Sequence, residues 1–248
     1  SMSRVPMGSN ATSPGTPFPP ELMELYDLVP QGISAELMAR KYGISRRQMD
    51  EFGVRSHRLA HEATENGNFK SQLLPVEISP NGNGHHALFT QDEGIRPNAS
   101  YEATAALQPA FNPEHSITAG NSSQISDGAA AVLLMSLEKA KELGLKPRAR
   151  IRAQAVVGTD PVLMLEGPIP GTAAVLKRAG LELSSIDLFE VNEAFASVVL
   201  AWQKETGADL DKTNVNGGAI AVGHPLGASG AILMTRLLYE LERRDLRY

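Results

Sequence analysis

A chain of 248 residues is long enough to bury a sizeable core, as one large domain or two ordinary ones. Its 42% apolar and 21% charged residues are those of a globular protein, and a net charge of -5 with no basic stripe argues against nucleic acid as the main partner. The longest apolar run, 129–135, is far short of a bilayer span, so no membrane partner is expected. Residues 1–30 show no export-signal layout, and a cytoplasmic location is the expectation. Cysteine is absent, which excludes disulfides, thiolate metal sites and thiol nucleophiles within these residues.

Residues 1–20 are rich in Pro, Gly, Ser and Asn and read as a surface segment. Ser34 reads as the cap of a helix ending near Gly43, and Ser45 opens a longer helix ending near Gly67. Ser45 and Gln48 have capping-box spacing, and Ile44 and Met49 sit where a hydrophobic staple packs. Met49, Phe52, Ser56, Leu59, Ala60 and Ala63 then repeat at helical spacing, giving one small apolar face. His57 and His61 lie four apart, as a metal pair would, but Arg55, Arg58 and Glu62 favour a solvated flank and no HExxH forms. Residues 73–90 read as two short strands around the Asn-Gly loop at 81–84. Gly82 and Gly84 begin a GxG that no GxGxxG completes, and His85 and His86 read as loop residues. Arg96, followed at once by Pro97, is a surface charge or a phosphate anchor, the former being commoner for a lone arginine. Helix resumes over 101–108.

From residue 118 the character changes. Small polar residues lead into the continuous apolar run 129–135, which predicts a buried strand of a two-sided sheet. A helix over 137–143, a strand over 149–158, a helix over 171–180 and a strand over 186–191 follow. The last of these runs into Asn-Glu-Ala-Phe at 192–195 and a helix in which Trp202 reads as core. A final strand ends at 214–218, before a glycine-rich turn holding His224 and a small-residue helix. Such alternation argues an α/β architecture with ligand groups on the turns after strands.

Two of those turns carry Asn192 with Glu193, and His224. A histidine beside an amide suits base or oxyanion-donor chemistry. Asn192 also suits a helix cap. A serine hydrolase and a nucleotide P-loop fit less well, because GxSxG is absent and no Lys precedes Ser or Thr in the glycine run. The residues themselves identify no nucleophile.

At 192–195 and at GGAIAVGHPLGASG, 217–230, the chain resembles the thiolases, the acetyl-CoA acetyltransferases and 3-ketoacyl-CoA thiolases. Residues 118–134 and 32–57 are similar to further thiolase segments, so the resemblance spans nearly the whole chain. It implies a layered α/β/α/β/α fold, incomplete at both ends, with a mainly helical loop domain. On this resemblance 1–113 holds the end of the first half and the inserted loop domain. Residues 114–146 return to the N-terminal half, and 147–248 form the C-terminal half, cut before its last strands. His224 would activate a nucleophilic cysteine and help hold the thioester oxygen, and Asn192 would fix the water completing that oxyanion hole. Ser123 falls where the family contacts the pantetheine arm of coenzyme A. Arg96 falls near its nucleotide end, Ala194 and Phe195 border the channel, and Gln31 sits where the acyl pocket is lined.

The implied substrates are acyl-CoA and coenzyme A, with no other cofactor and no metal, and the implied assembly is a homodimer or tetramer. The family also needs two reactive cysteines, neither of which this chain has. The resemblance therefore implies an acyltransferase for the longer parent protein and an inactive piece here. The competing reading is a thiolase-like coenzyme A or lipid-binding module, or a scaffold, that keeps the fold without the chemistry. A dinucleotide oxidoreductase would need a GxGxxG opening a helix, which is missing.

Overall fold

The computed structural model describes residues 2–6, 8–9, 18–79 and 87–248. The Asn-Gly loop at 81–84, His85 and His86, and much of the 1–20 segment lie outside the described residues. After a short α1 (Pro20–Leu25) come α2 (Gln31–Lys41) and α3 (Arg46–Glu65). α3 starts as its sequence dictates: Ser45 accepts from the Gln48 N–H while the Gln48 side chain accepts from the Ser45 N–H at 2.8 Å. Ile44 packs on the same core as buried Met49, closing the staple. α2 corrects an expectation. The Pro30 carbonyl already receives the Ile33 and Ser34 N–H groups, so the helix begins before Ser34, which is buried inside it rather than capping it.

The hairpin pairs β1 (Val76–Ile78) with β2 (Ala87–Phe89), antiparallel, with Glu77 opposite Leu88. Short helices α4 (Tyr101–Ala105) and α5 (Leu137–Glu142) follow. α6 (Pro168–Ala179) and α7 (Ala196–Thr206) are joined where the Trp202 indole N–H donates to Thr172 Oγ1 at 2.9 Å. Trp202 is buried, and its ring meets Phe189 edge-on at 5.3 Å. α8 (Ala219–Val222) and α9 (Ser229–Arg244) complete the helices. α3 lies against α4, α7 and α8, and α2 against α7. Met49, Phe52, Ile117, Phe195, Val199, Trp202 and Ile220 form one core between them.

The expected strands of the second half are the main correction. Among the described residues, 129–135, 149–158, 186–191 and 214–218 run without a hydrogen-bonded ladder; Phe189 meets Thr213 in a single parallel bridge. Residues 129–135 are not buried either: Leu133 is 78% and Leu134 61% exposed, and Val156 in the next segment is 93% exposed. An apolar run specifies what must be covered, but a ladder forms only where a partner strand lies alongside. No helix among the described residues is long and apolar enough to cross a membrane.

Ser45→Ala removes one half of the capping box at an exposed site and is expected to cost about 1 kcal/mol of unfolding free energy. Urea unfolding followed by circular dichroism measures it, and an unchanged midpoint would show the cap to be unimportant in solution.

Candidate active site

Three turns meet around His224, and a buried carboxylate ties two of them to α3. Asn214 takes a left-handed backbone (φ 48°), which asparagine tolerates better than most residues. Its side chain then imitates a strand neighbour, accepting from the Val191 N–H and donating to the Val191 carbonyl, both at 2.8 Å. The same amide donates to Glu193 Oε1 at 2.9 Å. Glu193 Oε2 accepts from Ser56 Oγ–H at 2.6 Å and from the Ile220 N–H at 3.2 Å. Ser56 Oγ in turn receives the Gly218 N–H at 3.0 Å. One carboxylate therefore joins α3, the turn after Phe189 and the start of α8. Burial pushes the Glu193 pKa up, while these hydrogen bonds pull it back toward the ionised form.

The glycines allow this closeness. Gly217 has φ 71° and lies so near α3 that a Cβ would collide with the Ser56 carbonyl. Gly223, at φ 91°, lies as tightly against the Ser126 side chain. What these two glycines crowd is the protein's own chain.

Past Gly223 the His224 N–H donates to the Gln124 carbonyl at 2.9 Å. The imidazole is half-buried, and its two nitrogens are engaged from opposite sides. Nδ1 lies 2.6 Å from Ser229 Oγ, which donates to the Pro225 carbonyl at 3.1 Å. Nε2 lies 3.3 Å from the Asn192 amide nitrogen. Taken as one network, this assigns the proton to Nδ1: Ser229 gives its hydrogen to Pro225 and so accepts from Nδ1–H, leaving the Nε2 lone pair facing the amide. Burial lowers the His224 pKa, favouring this neutral ring at pH 7. The arrangement can take a proton at Nε2 and then present Nε2–H, beside a second N–H donor, to a developing negative charge. Asn192 caps no helix, since Phe195 occupies the N-cap of α7.

Residues 121–124 stitch the turns together. The Asn121 carbonyl receives the Ala196 N–H and the Ser123 N–H donates to the Ala194 carbonyl, both at 2.9 Å; the Gln124 N–H reaches the Ala219 carbonyl at 3.4 Å. Ser123, Ala194 and Phe195 are thus brought beside Asn192 and His224. Arg96 is exposed on a loop joined to the same turns through Gln124. Gln31 is not at the His224 turn; it opens α2, exposed, and its neighbour Gly32 lies against the Phe111 ring, which meets Phe195 edge-on at 6.2 Å. His57 is buried and its Nδ1 accepts the Arg96 N–H at 3.2 Å, so this ring is a packing contact rather than part of a solvated flank. A hollow of about 320 Å³ lined by Ser126, Gly128, Ala129, Pro225, Leu226 and Ala228 begins at the residue after His224. A larger one of about 420 Å³, between Glu182, Phe189, Ala208 and Lys212, shares no residue with the site.

Sequence reasoning missed Gln124 and Ser229 and named Glu193 only as a polar neighbour. Ser229, five positions after His224 at the start of a helix, offered the one readable signal. Beneath the site, burial pushes Glu190 up to about 7, with nearby Arg236 opposing and the Glu193 and Glu240 charges reinforcing the shift. For an acid raised in the folded state, the stabilisation is complete below the unfolded pKa of 4.5 and is lost as pH rises through about 7. Glu190→Gln is therefore expected to raise the melting temperature more at pH 8 than at pH 5, and equal shifts at both would refute the buried-acid account. Nitrogen-15 NMR of the imidazoles at pH 7 is expected to find His224 neutral with its proton on Nδ1. A proton on Nε2 would reverse the assigned network.

The family model of the thiolase N-terminal domain matches residues 2–138, and that of the thiolase C-terminal domain matches 145–248. The 3-ketoacyl-CoA thiolase of Marinobacter nauticus is 52% identical over 211 residues, covering 84% of this chain and 54% of that protein. That of Bacillus subtilis is 46% identical over 252 residues, covering 99% and 64%. The crystal structure of the Bacillus anthracis acetyl-CoA acetyltransferase superposes with a TM-score of 0.84 at 43% identity, covering 88% of this chain and 55% of that one. Human mitochondrial 3-ketoacyl-CoA thiolase gives 0.81 at 38% identity, covering 88% and 54%. The chain thus spans between about half and two thirds of the length of these relatives. With both domain models matched in order and the fold shared with solved members, this chain belongs to the thiolase family and has its α/β fold.

Proposed function

We propose that this chain carries the histidine and asparagine side of a thiolase acyl-transfer site. The reaction is the reversible thiolytic cleavage of 3-ketoacyl-CoA by coenzyme A, or the condensation of acetyl-CoA, through a cysteine acyl-enzyme. The observation that carries this is the contact of Asn192 with His224 Nε2 at 3.3 Å, with the other ring nitrogen held by Ser229. A neutral Nε2 accepts the proton of an attacking thiol, and the resulting Nε2–H then faces the thioester oxygen as it gains charge. Asn192 supplies the second donor, directly or by fixing a water. Ser123, Ala194 and Phe195 line the pantetheine path in this reading, Arg96 meets the nucleotide end, and Gln31 belongs to the acyl side through Phe111.

The thiol itself has to come from outside these 248 residues, which contain no cysteine. The division into an inserted helical domain ending near 113, a return segment to 146 and a C-terminal half from 147 is part of the same proposal, as are a homo-oligomeric state and a cytoplasmic location. Light scattering on the purified chain measures the oligomeric state. In an acetoacetyl-CoA thiolysis assay this chain is expected to turn over no faster than its His224→Ala variant. Turnover above that control would overturn the need for an outside thiol.

The absence of cysteine also favours a second reading, a module that binds coenzyme A without transforming it. Coenzyme A binding measured by titration calorimetry together with failure of an added cysteine-bearing thiolase segment to restore turnover would favour that module. Restored turnover that depends on His224 would favour the acyltransferase.

A further inference from the structure

The loop bearing Arg96 is fastened at two points by residues outside the proposed chemistry. At Arg96 itself, the backbone N–H donates to His57 Nδ1 at 3.2 Å. His57 projects from the middle of α3 and is 6% exposed; burial, with the Arg96 charge adding to it, holds its pKa down to about 4. The ring is therefore neutral at physiological pH and Nδ1 keeps the lone pair this bond requires. Two residues earlier, the Gly94 carbonyl accepts from Gln124 Nε2 at 2.9 Å. The same amide nitrogen lies 2.8 Å from the Ile220 carbonyl and 3.1 Å from that of Ala221. The Gln124 main-chain carbonyl, for its part, receives the His224 N–H at 2.9 Å. One glutamine thus joins the Arg96 loop to the turn that holds the imidazole. Past Arg96, Pro97 fixes the backbone and the Ala99 N–H returns to the Arg96 carbonyl at 3.1 Å.

The guanidinium at the end of this loop is exposed and makes no ion pair among the described residues. Binding pays for ordering whatever is loose, so a main chain held before the ligand arrives leaves only the arginine side chain to order. An arginine in that position offers a planar fork suited to phosphate oxygens.

We propose that His57 and Gln124 are positioning residues for the nucleotide end of coenzyme A: they hold the 94–96 backbone so that Arg96 meets phosphate at a set distance from His224. The inference rests on the coenzyme A reading given above and adds to it a source of discrimination. Pantetheine, which has the thiol arm and no nucleotide, does not use the two fastenings; coenzyme A does.

Titration calorimetry of the 248-residue chain with coenzyme A and with pantetheine tests this, circular dichroism melts confirming that each variant is folded. His57→Leu and Gln124→Met are each expected to weaken coenzyme A roughly tenfold, the equivalent of about 1.4 kcal/mol. Pantetheine affinity should stay within about twofold, well under the 1.4 kcal/mol that a tenfold change represents. His57→Asn places an amide oxygen where Nδ1 stood and is expected to restore coenzyme A binding, a rescue that a purely structural histidine would not give. Arg96→Ala should remove the preference for coenzyme A over pantetheine altogether. An unchanged ratio in folded His57→Leu and Gln124→Met, or an equal loss for both ligands, overturns the positioning role alone. Should either variant fail to fold, the ratio in the other and in His57→Asn decides. If the unsubstituted chain binds neither ligand, or prefers neither, the coenzyme A reading fails and the inference with it.

Discussion

The Glu193 carboxylate is the interaction on which the site depends. It is fully buried with no salt-bridge partner among the described residues, and its two oxygens are satisfied by Ser56, Asn214 and the Ile220 N–H. A buried charge is tolerated only when hydrogen bonds replace the lost water, and each of those bonds here comes from a different part of the chain. Because Asn192 is its neighbour in sequence and His224 follows four residues after Ile220, fixing this carboxylate fixes both. Arg236 reinforces the arrangement from α9, its guanidinium donating to the Asn216 and Gly217 carbonyls at 2.5 Å each.

The chemistry then follows from which lone pairs are left over. Ser229 takes up Nδ1 of His224, so the nitrogen pointing toward the Asn192 amide is the one free to accept a proton. Half-burial keeps the ring neutral, and the 121–124 segment holds the backbone of the histidine turn and of the Asn192 turn in one hydrogen-bonded run. The residues proposed to bind coenzyme A differ in how directly they are tied to this centre. Ser123, Ala194 and Phe195 share its backbone bonds, Arg96 reaches it through Gln124, and Gln31 is two aromatic rings away.

What was legible in the sequence was local or strongly patterned. The Ser45 capping box lies within one helical turn, and the apolar face of α3 repeats at a period that needs no partner to be seen. The order of the Asn192 turn before the glycine-rich His224 turn was also visible, and the chain brings them together. The strands over 129–135 and 149–158 were read from apolar content, but pairing is a property of two segments, and neither finds its second here. Ser34 illustrates a subtler failure: a good capping residue loses to a proline whose carbonyl already starts the helix. Gln124 was unreadable because its role consists of three carbonyls from two distant segments, and no spacing in the sequence announces that.

The exposed apolar segments have a consequence for how the chain behaves among copies of itself. Leu133, Leu134, Ile151 and Val156 are exposed on backbone whose N–H and C=O groups join no ladder among the described residues. Such edges are templates for strand addition, and lysine, proline or a covering helix is what usually blunts them. Between Ala129 and Met135 the run has no charge and no proline. Residues 129–135 therefore offer a route of intermolecular β-association at high concentration, and a charged substitution at Leu133 is the direct way to suppress it without touching the His224 turn.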